Sequence, residues 1–188
     1  VTTTTVDTDV VGVYTVTYNV TDANSNVATT VIRTVNVVDT TVPVITLAGE
    51  STVTIEAGTT YTDAGATASD NYDGDITDNI VTTTTVDTDI IGSYTVTYNV
   101  TDANGNVAVE VTRTVNVVDT TVPVITLTGD ATISIEAGTT YTDSGATASD
   151  NYDGDITDSI VTTTTVDTDV IGSYTVTYNV TDANGNVA

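Results

Sequence analysis

The 188 residues include no cysteine, histidine, methionine, tryptophan or phenylalanine, and reading along the chain finds no lysine or glutamine either. Each absence removes a class of chemistry. Without cysteine there are no disulfides, no thiolate nucleophile and no zinc–thiolate site. Without histidine or lysine the usual general bases and Schiff-base amines are missing, leaving carboxylates and tyrosines. Paired carboxylates hydrolyse glycosides in some enzymes, but here the acids fall in turn-like stretches with no aromatic-rich cleft, so the sequence reads as non-enzymatic. The only basic residues are Arg33 and Arg113, against 26 acids, for a net charge of −24. Such a chain has almost nothing with which to displace counterions from nucleic acid or to meet an anionic membrane surface. No apolar run approaches the roughly 20 residues of a membrane span. There is no initiator methionine and no signal-peptide pattern, so the chain reads as a mature or cropped segment.

Threonine and valine dominate what remains, and 39% of residues are hydrophobic in strict alternation, which argues for folded strands over disorder. Val1, Val81 and Val161 begin near-identical stretches, a period of 80 residues. That period suits a small autonomous domain and is too long for a solenoid coil. Residues 39–118 are read as one whole repeat, 1–38 as the back half of a preceding one, and 119–188 as a repeat lacking its last strand. The chain is thus expected to be a window on a longer repetitive polypeptide.

Within 39–118 the sequence predicts strands at Val44–Leu47, Thr52–Glu56, Gly65–Ser69, Ile80–Val86, Tyr94–Thr101 and Val107–Val118. Tyr94-Thr-Val96-Thr-Tyr98-Asn-Val100 alternates with period two and points its tyrosines and valines inward, with Val53, Ile55, Val115 and Val117 completing the core. Asp102-Ala-Asn-Gly-Asn106 reads as a hairpin turn in which Asn-Gly supplies the positive φ. About seven short strands with frequent turns imply an all-β fold of tandem immunoglobulin-like antiparallel sandwiches. Gly92-x-Tyr94-x-Val96 matches the pattern around an immunoglobulin tyrosine corner, and equally suits a simple core aromatic. Arg33 and Arg113, on returning strands, are expected to make surface ion pairs. Asn19-Val-Thr, Asn99-Val-Thr and Asn179-Val-Thr match the glycosylation sequon, a pattern that alternation on threonine-rich strands also produces by chance.

The most distinctive stretch is Asp70-Asn-Tyr-Asp73-Gly-Asp75-Ile-Thr, which recurs at Asp150, Asp153 and Asp155. Three carboxylates around a glycine turn offer the oxygen ligands a hard cation such as Ca²⁺ needs. Without an ion, two carboxylates about 5 Å apart repel by roughly 3 kcal/mol at an effective dielectric near 20. The spacing only partly follows the EF-hand rhythm, and an acidic, solvated turn is the competing reading.

The runs Pro-Val-Ile-Thr-Leu, Ile-Glu-Ala-Gly-Thr-Thr-Tyr-Thr-Asp, Gly-Ala-Thr-Ala-Ser-Asp-Asn, Asp-Gly-Asp-Ile-Thr and Gly-Ser-Tyr-Thr-Val-Thr-Tyr-Asn-Val-Thr-Asp-Ala-Asn-Gly-Asn together resemble a known family. They are similar to bacterial immunoglobulin-like domains of unknown function related to hyaline-repeat modules, which occur in tandem in large surface and secreted proteins. The resemblance covers the whole repeat and both partial ones. It implies an extracellular, cell-surface location and a spacer or stalk role in an adhesin-like protein, and names no ligand. A hyaline repeat would carry cysteines, so that comparison holds for the sandwich and the Gly-x-Tyr strand alone.

In an immunoglobulin-like topology the acidic loop and the final hairpin lie at the pole where the chain enters. The expected ligands at the second junction are Asp119, Asp150, Asp153, Asp155 and Asp182, with Glu56, Asp87 and Asp89 from the preceding repeat. At the first they are Asp39, Asp70, Asp73, Asp75 and Asp102, with Asp7 and Asp9. By position, though not by sequence, this is similar to the calcium sites between cadherin repeats. The competing reading makes the acids a solubility coat. The leading function is a structural stalk stiffened by Ca²⁺, with neighbouring repeats of the same protein as partners. The alternative is a filament in which identical chains exchange strands; a carbohydrate-binding spacer lacks the tryptophans that sugar platforms use. Lys–Asn isopeptide and Thr–Gln ester cross-links are closed to this composition, so the intact mass should equal the sequence mass. A deficit of ammonia, read by mass spectrometry, would show that some other internal bond forms.

Overall fold

The computed structural model describes residues 1–188 and is built from strands, two single 3-10 turns and connecting loops. Its contacts divide the chain into two compact units. The first comprises Val1–Ala48, Gly65–Thr82 and Thr97–Val111; the second comprises Gly49–Ala64, Thr83–Val96 and Thr112–Ala188.

In the first unit, β1 (Thr2–Thr4), β2 (Gly12–Tyr18) and β3 (Val31–Val37) form one antiparallel sheet. A second sheet is made by β4 (Val44–Leu47), β6 (Ala66–Asp70) and β7 (Gly74–Asp75), with Ile45 opposite Ala68. In the second unit the same small sheet recurs as β11 (Val124–Leu127), β12 (Ala146–Asp150) and β13 (Gly154–Asp155). There β14 (Val161–Thr164) also pairs with β15 (Val176–Asn179). The middle repeat adds a sheet ordered β5 (Thr52–Glu56), β10 (Val111–Val118), β9 (Gly92–Asn99), β8 (Val81–Thr84). The observed strands sit within a few residues of the expected ones, and the fold is all-β.

One pair departs from the antiparallel expectation. β5 and β10 run parallel, with Val53 opposite Val115 and Ile55 opposite Val117. Parallel neighbours need a crossover of a dozen residues or more, and residues 57–110 supply it.

Alternation decides the core. Val96, Tyr98, Val100, Val115 and Val117 are at most 2% exposed, while Val53, Ile55 and Tyr94 are half-buried. Small residues such as Ala57, Ala68 and Ala108 fill the remaining space. The tyrosine corner is formed: the Tyr94 hydroxyl donates to the Ile90 carbonyl at 2.7 Å, as Tyr14 does to Val10 (2.7 Å) and Tyr174 to Val170 (2.8 Å). At the hairpin turns Gly105 and Gly185 take φ of 91° and 94°, and Ser25 takes 69° in the same position of the first repeat.

Arg113 corrects the expectation of a surface ion pair. It is 1% exposed, its guanidinium pairs with Asp63, and its Nε donates to the Glu50 carbonyl at 2.9 Å. Arg113 shares the parity of Val111, Val115 and Val117, so the strand turns it inward with them. Arg33, by contrast, is exposed and lies 5.9 Å from the centre of the Tyr18 ring.

Asp63→Ala should destabilise the middle repeat by roughly 3 kcal/mol, the lower end for a broken buried pair because Asp63 is itself 24% exposed. Replacing both partners, Arg113→Met with Asp63→Leu, should restore stability close to the parent. Urea melts of both variants check this; a parent-like melt for Asp63→Ala would show that the guanidinium keeps its charge solvated.

Candidate metal centre

The acidic loop is closed by its own backbone before any ligand is considered. Gly74 turns it at φ 72°, and the Ile76 N–H returns to the Ala68 carbonyl at 3.0 Å. The Ala68 N–H in turn donates to the Thr77 hydroxyl at 3.0 Å, which pins the loop's far end to β6. Asp70 Oδ1 accepts the N–H groups of Tyr72 (2.8 Å) and Asp73 (3.2 Å), and Asp73 Oδ2 accepts Ala103 N–H from the hairpin (2.9 Å). Asp102 Oδ1 organises that hairpin, accepting N–H from Asn104 (2.9 Å) and Asn106 (2.8 Å). Asp39 Oδ2 takes the Asn104 amide at 3.1 Å, which ties the chain entering the repeat to the hairpin.

These bonds bring Asp39, Asp70, Asp73 and Asp102 together, with one carboxylate oxygen from each lying within 4.8 Å of the others. The second copy gathers Asp119, Asp150, Asp153 and Asp182 in the same way. Its wiring is equivalent: Tyr152 N–H to Asp150 at 2.8 Å, Ala183 N–H to Asp153 at 2.7 Å, and the Asn184 amide to Asp119 at 2.9 Å. Oxygens on opposite sides of a Ca²⁺ ion stand about 4.8 Å apart, since each bond is about 2.4 Å. Four anionic oxygens in that volume, in a chain without histidine or cysteine, have the chemistry of a hard divalent cation site.

Electrostatics within the clusters is uneven. Burial pushes the Asp102 and Asp182 carboxyls up, but the bonds from Asn106 and Asn186 and from their neighbours outweigh it, leaving both below the usual range. Asp119 ends above the usual range, because burial, with the charge of Asp150 and the side-chain contact of Glu56, exceeds the help from Asn184 and Thr121. One oxygen in each cluster, Asp70 Oδ2 and Asp150 Oδ1, is buried and accepts no hydrogen bond. These occupy equivalent positions, 80 residues apart.

The other acids named from the sequence lie outside both clusters. Asp75 and Asp155 each accept the N–H two residues on, from Thr77 and Thr157, at 3.0 Å. Asp7 and Asp87 do the same for Asp9 and Asp89, also at 3.0 Å. Glu56 faces the linker. It accepts from Thr120 N–H (2.9 Å), Thr121 N–H (3.1 Å) and the hydroxyls of Thr120 and Thr121 (2.8 Å each). Sequence reasoning did not single out Asn104, Asn106 and their copies as the wiring of the cluster, although the Asx-turn spacing Asp-x-Asn-x-Asn carries that information. It also missed Tyr72 and Tyr152. Their hydroxyls accept the backbone N–H of Val11 (3.1 Å) and Ile91 (3.5 Å) in the preceding repeat. Elsewhere in the second unit, two clefts of about 540 and 460 Å³ each have threonine at half of their lining positions, with one carboxylate apiece, Asp143 and Asp89.

A family model described as bacterial surface protein, Ig-like domain, matches residues 45–117 and 125–188. The chain belongs to this family. An uncharacterized 81.3 kDa protein of Acholeplasma phage L2 is 34% identical over 192 residues, covering 95% of this chain and 25% of that protein. Hyalin of Strongylocentrotus purpuratus is 33% identical over 189 residues, covering 95% of this chain and 16% of hyalin. The chain therefore spans a quarter or less of the curated relatives it matches. Among solved structures, a lipoprotein of Bacteroides thetaiotaomicron aligns over 42% of this chain and 39% of its own, at 28% identity and a TM-score of 0.37. As a bacterial surface Ig-like repeat, the chain is a tandem module of surface proteins, and no helix in it is long and apolar enough to cross a membrane.

The Glu56 carboxyl is held down to about 2 from 4.5, chiefly by the Thr120 N–H and then by the Thr121 and Thr120 hydroxyls. A depressed carboxyl contributes stability that is complete above its unfolded value and disappears as pH falls through the folded one. The Glu56 grip on the linker should therefore be intact above pH 4.5 and be lost on approaching pH 2. In chelator, a carboxyl-carbon NMR titration should place the Glu56 midpoint near 2. A midpoint near its unfolded value would show that the linker threonines do not hold it.

Proposed function

We propose that this bacterial surface Ig-like repeat is a stalk or spacer of a large extracellular adhesin-like protein, and that Ca²⁺ fastens its junctions. The ions would bind at Asp39, Asp70, Asp73 and Asp102, and at Asp119, Asp150, Asp153 and Asp182. The observation that carries the reading is the pair of buried oxygens without a partner, Asp70 Oδ2 and Asp150 Oδ1, each inside a carboxylate cluster. A buried acceptor left unsatisfied costs about 1–3 kcal/mol, more when charged, and a cation supplies the missing partner. Carboxylates at cluster distances also repel by roughly 3 kcal/mol per pair at an effective dielectric near 20, a cost that an ion turns into attraction. Asp39 and Asp119 each open a repeat while Asp102 and Asp182 lie in its last hairpin, so one ion ties the entering chain to the body of the domain. The clefts, with a single carboxylate each, support a structural role over a catalytic one.

Calorimetry should find two calcium ions per chain. At a free concentration of 100 times the dissociation constant, each site should stabilise the fold it belongs to by about 2.7 kcal/mol. Asp150→Ala with Asp153→Ala should leave one ion bound, whereas Asp155→Ala, outside the cluster, should leave two. Small-angle scattering should show a more variable chain in chelator than in calcium. Superimposable melting curves and scattering profiles in calcium and chelator would overturn the proposal and return the acids to a solubility coat.

A further inference from the structure

β5 keeps register with β10 as far as Glu56 opposite Val118, and the Ala57 N–H closes on the Val118 carbonyl at 2.7 Å. The Glu56 backbone therefore stands beside the last residue before Asp119. Its carboxylate reaches over the boundary and takes four donors from Thr120 and Thr121, three on Oε1 and one on Oε2. We infer that Glu56 is a positioning residue for the second cation site, setting Asp119 through the linker so that one repeat governs ion binding by the next. This rests on the reading of Asp119, Asp150, Asp153 and Asp182 as a calcium site.

Asp119 is steadied from two directions. Its own hairpin holds it through the Asn184 amide on Oδ2 (2.9 Å) and the Asn186 amide on its carbonyl (3.3 Å). The linker holds it through the Thr121 N–H, which Asp119 Oδ1 (3.2 Å) shares with Glu56 Oε1 (3.1 Å), while the Thr121 hydroxyl donates to Glu56 at 2.8 Å. If Glu56 lets go, Thr120 and Thr121 regain conformational freedom that the ion must remove when it binds, and that ordering is subtracted from affinity. None of the Glu56 bonds reaches Asp39, Asp70, Asp73 or Asp102, so the first site serves as an internal reference.

The test uses the full chain in two backgrounds. Asp70→Asn with Asp73→Asn leaves the second site to be read alone, and Asp150→Asn with Asp153→Asn leaves the first. Calcium affinity is measured by calorimetry with and without Glu56→Gln, which keeps one acceptor oxygen and loses the other. The second site should weaken at least about tenfold and the first should stay within twofold. Thr120→Val with Thr121→Val keeps the Glu56 charge and removes only the hydroxyl donors; it should weaken the second site in the same direction by a smaller factor. That arm separates positioning from loss of a nearby negative charge. Circular dichroism of the calcium-free variants confirms that each is folded. Unchanged affinity at the second site, an equal fall at both sites, or no response to the threonine pair would overturn the inference. Absence of calcium binding by the parent would instead defeat the calcium reading on which it rests.

Discussion

A chain with 26 acids and two arginines cannot pair its carboxylates with cationic side chains, and the structure depends on what it uses instead. Backbone N–H groups and hydroxyls take that role. Asp7, Asp70, Asp75, Asp87 and Asp102 each accept the N–H two residues on, and Glu56 accepts two N–H groups and two hydroxyls. An Asx turn of this kind sets the local backbone while it solvates the charge, so the turn and its acid form one unit. The loops thus acquire fixed shapes from the residues that give the chain its charge. The same economy leaves Arg113, spent in the interior against Asp63, unable to offset the acids at the surface.

Much of this was legible in the sequence. The period of 80 residues, the alternation through Tyr94, Val96, Tyr98 and Val100 and the Asn-Gly hairpin gave the sandwich. The sequence places Asp119, Asp150, Asp153, Asp155 and Asp182 at one pole with Glu56, Asp87 and Asp89, and the structure groups Asp119, Asp150, Asp153 and Asp182 of these. What did not read through was the direction of individual carboxylates. Asp75 and Asp155 fall in the same short stretch as Asp73 and Asp153, yet each turns to the N–H of the threonine two residues on. Spacing alone does not separate a ligand from a turn cap when both sit within a few residues of one glycine. Arg113 was legible in principle, because its parity with Val115 and Val117 assigns it to the inner face. Its charge favours the surface and its register the interior, and register prevails because Asp63 and the Glu50 carbonyl meet the guanidinium there.

The contacts made by Tyr72 and Tyr152 were beyond sequence reasoning. Each tyrosine lies between two acids of its loop, and a hydroxyl that accepts an N–H from a residue 61 positions earlier leaves no local pattern. These contacts and the Glu56 grip together make the boundary a place where the loop of one repeat and the strand end of another share donors and acceptors.

The parallel pairing of β5 with β10 bears on how the middle repeat carries load. A pull on the chain entering at Thr52 and leaving at Val118 acts along two parallel strands in opposite senses. The ladder between them, flanked by Thr114 N–H to Ser51 and Ala57 N–H to Val118, is then strained in shear. Its hydrogen bonds share the tension instead of parting one after another, as they would if the same force peeled a hairpin open from its end. The resistance to such a pull lies in β5 and β10, which sit side by side and point the same way.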